Sequence, residues 1–550
     1  MRSEPNIFLR YWHTLRHLKP AQIYGRLWFR LHRPRPDLRP APALRPAEGG
    51  WMRCARQSSM PGPATFRFLS VTREASAADD WNRTDWPKLW LYNLHYFDDL
   101  NADAAATRVA WHRAFVARWI AENRPAAGNG WEPYPLSLRL VNWVKWLAAG
   151  NVPDPGMLDS LAVQARWLMK RLEWHLLGNH LLANAKALVF AGTFFAGPEA
   201  DAWRQQGLAI LRREHAEQIL NDGGHFERSP MYHAIILEDL LDLIQLALRW
   251  PWVIEAGAEP AWRRDAGRML DWLQAMTHPD GEIAFFNDAA IGIAPNLAAL
   301  TAYAGAFGIA AEESPRIGNP SQRRLLPESG YLRAEAGVAV LLADVGEIGP
   351  DYLPGHAHAD TLCFELSVFG QRLVVNSGTS EYGLGAERLR QRGTAAHSTV
   401  QIDGADSSEV WSGFRVARRA RPLCRTLDEL DGAVILGCAH DGYLRLPGRP
   451  LHRREWRLTR GGLRITDRIE GGFGRAVARF HLHPAITVHG DGVLGELELS
   501  DGHRIRWSAS GGAVRIVGST WHPEFGQSVA GHCIELELEG PHAVMEFAWA

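Results

Sequence analysis

Cysteine is sparse in this chain, and what there is does not pair by spacing. Cys54, Cys363, Cys424, Cys438 and Cys533 are scattered over 550 residues with no CxxC step. That excludes a zinc knuckle and a disulfide scaffold, and mostly buried free thiols are expected instead. Long apolar runs are missing as well, since no segment approaches the roughly 18 uncharged residues of a membrane-spanning helix. The opening MRSEPNIFLRYWHTLRHLKP lacks the unbroken apolar stretch of a signal peptide, so a soluble cytoplasmic chain is expected, with a periplasmic or secreted one as the alternative. Excess charge is absent too. The 60 Lys and Arg balance 61 Asp and Glu, which removes a global electrostatic case for nucleic acid; an anionic partner has to be recognised locally.

What is present is enough apolar material, 46% of the chain, for two large cores, since a single core stops growing at about 250–300 residues. Residues 1–79 read as a basic helical arm followed by a connector. The first 33 hold Arg2, Arg10, Arg16, Lys19, Arg26, Arg30 and Arg33 against Glu4 alone, interleaved with aromatic and leucine side chains. Such a helix packs on the main body or makes peripheral contact with a membrane surface. The stretch RPRPDLRPAPALRP is an extended connector. Over 80–320 apolar residues recur at helical spacing near 104–123, 136–149, 157–175, 180–196, 201–220, 229–249, 260–276 and 294–308, with Gly, Pro, Asn and Asp at the breaks. Paired helices with short turns predict a toroid of stacked hairpins. Over 321–550 the period changes to two between Gly-rich turns, which predicts a large antiparallel β-sandwich. The cleft between two such domains is the default place for a ligand.

Three clusters carry candidate chemistry. Asn179 and His180 open a helix, where capping alone would explain the asparagine. The segment DGGHFERSPMYH crowds Asp222, His225, Glu227, Arg228, Tyr232 and His233 around a helix start, for which Ser229 and Pro230 are the signal. In LPGHAHAD, His356, His358 and Asp360 recur at period two, on one face of a strand or its approach, a spacing that lets imidazoles converge on a metal or a substrate. Asn376, His397 and the segment 403–415 add polar groups at strand ends. Tryptophan is abundant, 23 in all, and core packing is the expected fate of most of it.

Taken in order, NLHYFDDLN (93–101), EPYPLSLRLVNWVKWL (132–147), GNHLLANAKALVFAG (178–192), DGGHFERSPMYH (222–233), GEIAFFNDAA (281–290), GHAHADTLCFELSVFGQRLVVNSGTSEYG (355–383) and AAHSTVQIDGADSSEVW (395–411) resemble the heparinase II/III-like polysaccharide lyases, and the opening segment resembles members found in exopolysaccharide clusters. The resemblance implies an N-terminal incomplete (α/α) toroid, a C-terminal antiparallel β-sandwich, and cleavage of an acidic, uronate-containing polysaccharide by β-elimination. It assigns Asn179 and His180 to neutralising the uronate carboxylate, Tyr232 to acid–base catalysis, and His356 to the base. Arg228, His225, Glu227, Tyr134 and Trp411 become candidates for substrate binding. One zinc ion is implied at His358, Asn376 and His397, although zinc-binding members commonly carry Asp where this chain has Asn376, and an amide oxygen is a poorer ligand. The chemistry is coherent, because a proton α to a carboxylate becomes removable only when that charge is neutralised. The alternatives are a glycoside hydrolase using Glu227 and Asp288, a uronate epimerase, and a polysaccharide-binding protein without chemistry.

Overall fold

The computed structural model describes residues 7–46, 50–255, 258–311 and 321–549. Arg2 and Glu4 of the basic arm, and the expected boundary at 320, lie outside them. Two short helices come first, Ile7–Leu15 and Pro20–Leu31, and an extended connector follows along the helical body. The connector is bound side chain by side chain: Arg45 Nε donates to the Phe195 carbonyl at 2.7 Å, and the Ala41 amide to Asp159 Oδ1 at 2.7 Å. A small hairpin, Thr65–Phe68 with Val71–Glu74, was not expected from the sequence. Its two-residue turn places Leu69 and Ser70 at φ 53° and 60°, the left-handed pair that such a turn requires.

The toroid helices are Lys88–Tyr96, Val109–Glu122, Pro133–Ala148, Met157–Lys170, Gly178–Phe194, Pro198–Gln218, Pro230–Arg249, Ala258–Ala275 and Leu297–Gly305. Gly178–Phe194 is buried almost all round, so it runs through the interior with neighbours on every side. Trp81, Trp90, Trp119, Trp143 and Trp146 are fully buried in this core. Buried charge is paired there: Lys186 Nζ lies 2.6 Å from both Asp239 and Asp242, and Lys145 lies 2.9 Å from Asp242.

The paired strands of the second half are antiparallel. A five-stranded sheet (Ser321–Leu326, Tyr331–Ala336, Ala339–Asp344, Phe364–Val368, Gln371–Val374) stands with an eight-stranded and a four-stranded sheet around one core that includes Trp456, Trp507 and Phe480. Leu451–Thr459 shows the alternation that builds it, with His452, Arg454, Trp456 and Leu458 buried in turn. Its polar members are paired: Arg454 and His452 both bond Asp467 at 2.8 Å. The first sheet faces the toroid, where Trp272 Nε1 donates to Ser329 Oγ at 2.9 Å and Arg333 to the Thr277 carbonyl at 2.7 Å. An incomplete (α/α) toroid followed by an antiparallel β-sandwich is therefore the architecture.

Candidate functional site

The helix Gly178–Phe194 begins from a left-handed step, Leu177 at φ 63° and Gly178 at φ 54°. Leu177 is the N-cap and makes no side-chain cap bond. The capping explanation of Asn179 therefore fails. Asn179 is buried, and its backbone N–H and its Nδ2 each donate to a Glu227 carboxylate oxygen at 3.4 Å. His180 is half-buried, with Nδ1 3.2 Å from Glu173 Oε1 and its ring 4.5 Å from that of Tyr134. Burial pulls the His180 imidazole down, but the Glu173 carboxylate outweighs it, with help from Glu227 and Glu132; the net shift is upward. The protonated, cationic form is favoured.

The next helix, Pro230–Arg249, starts as its sequence predicts: Ser229 Oγ accepts the Tyr232 N–H at 3.2 Å and Pro230 follows it. This fixes Tyr232 one turn in, with its ring centroid 4.0 Å from that of His356 and its hydroxyl 3.1 Å from that of Tyr382. Burial, reinforced by Tyr382 and Tyr134, raises the Tyr232 phenol well above its ordinary range. It stays protonated. Burial also raises Glu227. The other members of this cluster point elsewhere. His225 bonds Gln218 at 3.0 Å, Asp222 accepts the Ser329 N–H at 2.7 Å, and Arg228 donates to the carbonyls of Glu328 and Glu347. His225 thus stays within the toroid, while Asp222 and Arg228 tie the toroid to the loops of the first sheet.

His356 and His358 lie in the irregular loop before strand Phe364–Val368, not on a strand face. They nonetheless converge, because both grip one carboxylate: His356 Nδ1 is 2.9 Å from Asp288 Oδ2, and His358 Nε2 is 2.8 Å from Asp288 Oδ1. Arg388 completes the set with an ion pair to both Asp288 oxygens. Burial works against the charge on Asp288, but Arg388 and the two histidines overcome it and hold the carboxyl well below its usual range. The loop is anchored from the toroid side as well: the Asn287 N–H donates to Asp360 Oδ2 at 3.1 Å, and Asn287 Oδ1 accepts the His358 N–H at 3.0 Å. Leu177, Arg228, Asn287 and Leu362 all have φ near 60°, a concentration of unfavourable backbone of the kind that gathers at functional sites.

Behind His358 lies a second group of donors. The His358 and His397 rings are 5.2 Å apart, His358 Nδ1 is buried without a hydrogen-bond partner among the described residues, and the His397 imidazole is buried against the Gln391 backbone. Burial lowers both imidazoles and keeps them neutral, as metal ligation requires. The donor set fits a metal in that respect. Asn376 fits less well, since its Nδ2 donates to Cys363 Sγ and its Oδ1 accepts the Ser398 N–H, both at 3.4 Å. Adjacent to it, Asp344, Asp360 and Cys363 bring one potential ligand atom each within 4.8 Å of one another, all buried, and this triad could hold a metal ion. Asp344 and Asp360 are also the buried carboxylates with no ion-pair partner among the described residues, and a cation would offset their desolvation.

The sequence profile of the heparinase II/III-like C-terminal region matches residues 318–550, and that of the heparinase II/III N-terminus matches residues 113–309. The chain belongs to the heparinase II/III-like family. Among the relatives of this family member, a heparin-sulfate lyase of Bacteroides stercoris is 26% identical over 51% of the chain and 45% of its own length. FtsZ-localized protein C of Caulobacter vibrioides is 28% identical over 68% of the chain and 64% of its own length. The chain thus spans less than two thirds of either relative. A crystal structure of heparinase III shares the fold at a TM-score of 0.70 and 18% identity, covering 88% of this chain and 81% of that one.

In this heparinase II/III-like chain, Asn179, His180, Tyr134, Glu227, Tyr232 and His356 come together, drawn from both halves. Beside them opens a pocket of about 310 Å³ whose walls include Phe29, Trp131, Trp167, Arg171, Glu173 and His180. Trp411 is placed differently: its indole N–H bonds Thr14 and its ring packs on Tyr11 of the N-terminal arm. Sequence reasoning missed Glu173, Tyr382 and Arg388. Tyr382 lies inside one of the quoted motifs, but nothing in the local pattern marks Glu173 or Arg388.

Proposed function

We propose that the chain is a polysaccharide lyase that cleaves a uronate-containing polysaccharide, such as a bacterial exopolysaccharide, by β-elimination to a 4,5-unsaturated product. The observation that carries this reading is the Asp288–His356 pair lying against the Tyr232 ring, near a His180 whose imidazole Glu173 shifts upward. Asp288 takes the Nδ1–H of His356, which leaves Nε2 as the acceptor, aimed 3.6 Å from Glu227. His180 and Asn179 bind and neutralise the uronate carboxylate, acidifying the C5 proton. His356 Nε2 takes that proton. The C4–O bond breaks as C4=C5 forms, and the neutral Tyr232 phenol gives its proton to the departing glycosidic oxygen. Aromatic walls of the adjoining pocket suit the apolar faces of neighbouring sugars.

Asp288 is fully engaged by Arg388 and two histidines, which argues against the hydrolase in which it would act with Glu227. The ion we propose for the buried donors is zinc, held by His358 and His397 with Asn376, next to Asp344, Asp360 and Cys363. Zinc would supply fixed positive charge and tie down the loop that carries His356. A screen of uronate polysaccharides for a product with the ultraviolet absorbance of a 4,5-unsaturated uronate tests the reaction. Absorbance with at least one polymer is the expected result. Chain cleavage without it points to the hydrolase, and solvent deuterium uptake at C5 without cleavage points to the epimerase.

A further inference from the structure

Each helix of the N-terminal arm packs one face on the rest of the chain and turns an apolar stripe outward. In Pro20–Leu31 the inner face is Gln22, Gly25 and Phe29. Gln22 donates to the Tyr352 carbonyl at 3.1 Å, a Cβ on Gly25 would stand 3.0 Å from the His175 amide, and Phe29 packs under the Arg171 guanidinium. Opposite this face, Ile23, Tyr24, Leu27, Trp28 and Leu31 form a stripe at helical spacing that points outward, Tyr24 at 72% and Leu31 at 80% exposure. Ile7–Leu15 repeats the arrangement. Thr14 Oγ1 donates to the Val416 carbonyl and Tyr11 packs on Trp411, while Trp12 at 62% and Leu15 at 51% face solvent.

The arm's own charge has one sign. From Ile7 to Pro36 the chain holds Arg10, Arg16, Lys19, Arg26, Arg30, Arg33 and Arg35 and no Asp or Glu, in a protein whose overall charge is balanced. Neither helix, at 9 and 12 residues, is long enough to cross a bilayer. Exposed Trp, Tyr, Leu and Ile ringed by Arg are what the interface of an anionic membrane accommodates: apolar side chains enter the acyl boundary and cations meet the headgroups.

We propose that the two helices dock on the surface of an anionic lipid bilayer. Because their inner faces are bolted to the toroid at Lys19–Glu217 and Phe29–Arg171, and to the second half of the chain at Gln22, Thr14 and Trp411, docking orients the whole molecule. Phe29 belongs both to the docking helix and to the wall of the pocket that contains His180. The groove therefore opens beside the membrane surface, where a polymer leaving or lining that membrane is within reach. The inference does not depend on which reaction the groove performs.

Flotation of the full chain with vesicles tests it. Recovery with vesicles of phosphatidylglycerol in phosphatidylcholine is expected to exceed recovery with pure phosphatidylcholine by on the order of tenfold or more, and to fall as salt screens the basic residues. The combined Trp12→Ser, Trp28→Ser and Leu31→Ser variant is expected to lose flotation while keeping the wild-type melting profile. Leu494→Ser, which removes an exposed leucine on the sandwich, is expected to float like the wild type. Failure of the wild type to float with anionic vesicles overturns the proposal. So does a dimer in sedimentation that Trp28→Ser dissolves, which would assign the apolar face to a second copy of the chain.

Discussion

His356 is held on three sides by groups from different parts of the chain: Asp288 at Nδ1, Glu227 near Nε2 and the Tyr232 ring across its face. The sequence makes His356 and Tyr232 candidates through local crowding, but not their contact. Asp288 is legible only as a carboxylate, and its role is set by Arg388, which lies 100 positions further on. Tyr232→Phe removes the phenolic proton and the bond to Tyr382 while keeping the ring on His356. We expect turnover to fall by about 10²–10⁴-fold, with the melting profile and polymer binding retained. Turnover near that of the wild type would remove Tyr232 from the mechanism and leave His180 and His356 to share the proton transfers.

At the scale of elements, helix starts position the site. The Ser229–Pro230 signal is local and readable, and the structure uses it as read. The start at Gly178 is different. Its φ of 54° is left-handed, and a Cβ there would meet Leu353 Cδ2 at 2.2 Å and Glu227 Oε1 at 2.9 Å, so a side chain would strain the backbone and displace the ends of Glu227 and of Leu353 in the loop above the helix. Gly178→Ala is expected to push that loop and Glu227 away from Asn179. The expected readout is a drop in kcat/KM of about 10-fold or more, from misplacement rather than lost chemistry, with helix content by circular dichroism unchanged. Unaltered kinetics would mean that Leu353 yields freely and that the close approach has no function. The His356 loop teaches the complementary lesson. Alternating histidines resemble a strand face, yet they meet through a shared carboxylate, and periodicity does not register a carboxylate from another domain.

For the molecule as a whole, buried ion pairs couple stability to pH. Asp242, buried between Lys145 and Lys186, is held down to about 2 even though burial opposes its charge; Asp99, Asp288 and Asp467 are likewise depressed by the cations and histidines around them. A carboxyl depressed in the folded state contributes stability that is present above its unfolded pKa, about 3.9, and is lost as pH falls through the folded value. Asp242→Asn should therefore cost about 3–5 kcal/mol at neutral pH, because it leaves two buried ammonium groups one carboxylate short. The variant should also lose less stability than the wild type between neutral pH and about pH 2. Parallel urea-unfolding curves for the two proteins across that range would contradict the assignment.

By itself the sequence determined the class of each half, because hydrophobic period depends on neighbours three or two positions away and survives without tertiary information. It also determined the helix start at Ser229, the basic arm, and the family through ordered motifs. Tertiary structure alone decided which polar residues meet. Glu173 raises His180, Arg388 and Asp288 aim His356, Tyr382 bonds Tyr232, and Trp411 goes to the arm instead of the groove. Apart from Glu173 and His180, which face each other across the turn before one helix, these pairings join segments far apart in the chain, and a buried charge finds its partner by position in space, which no local pattern encodes.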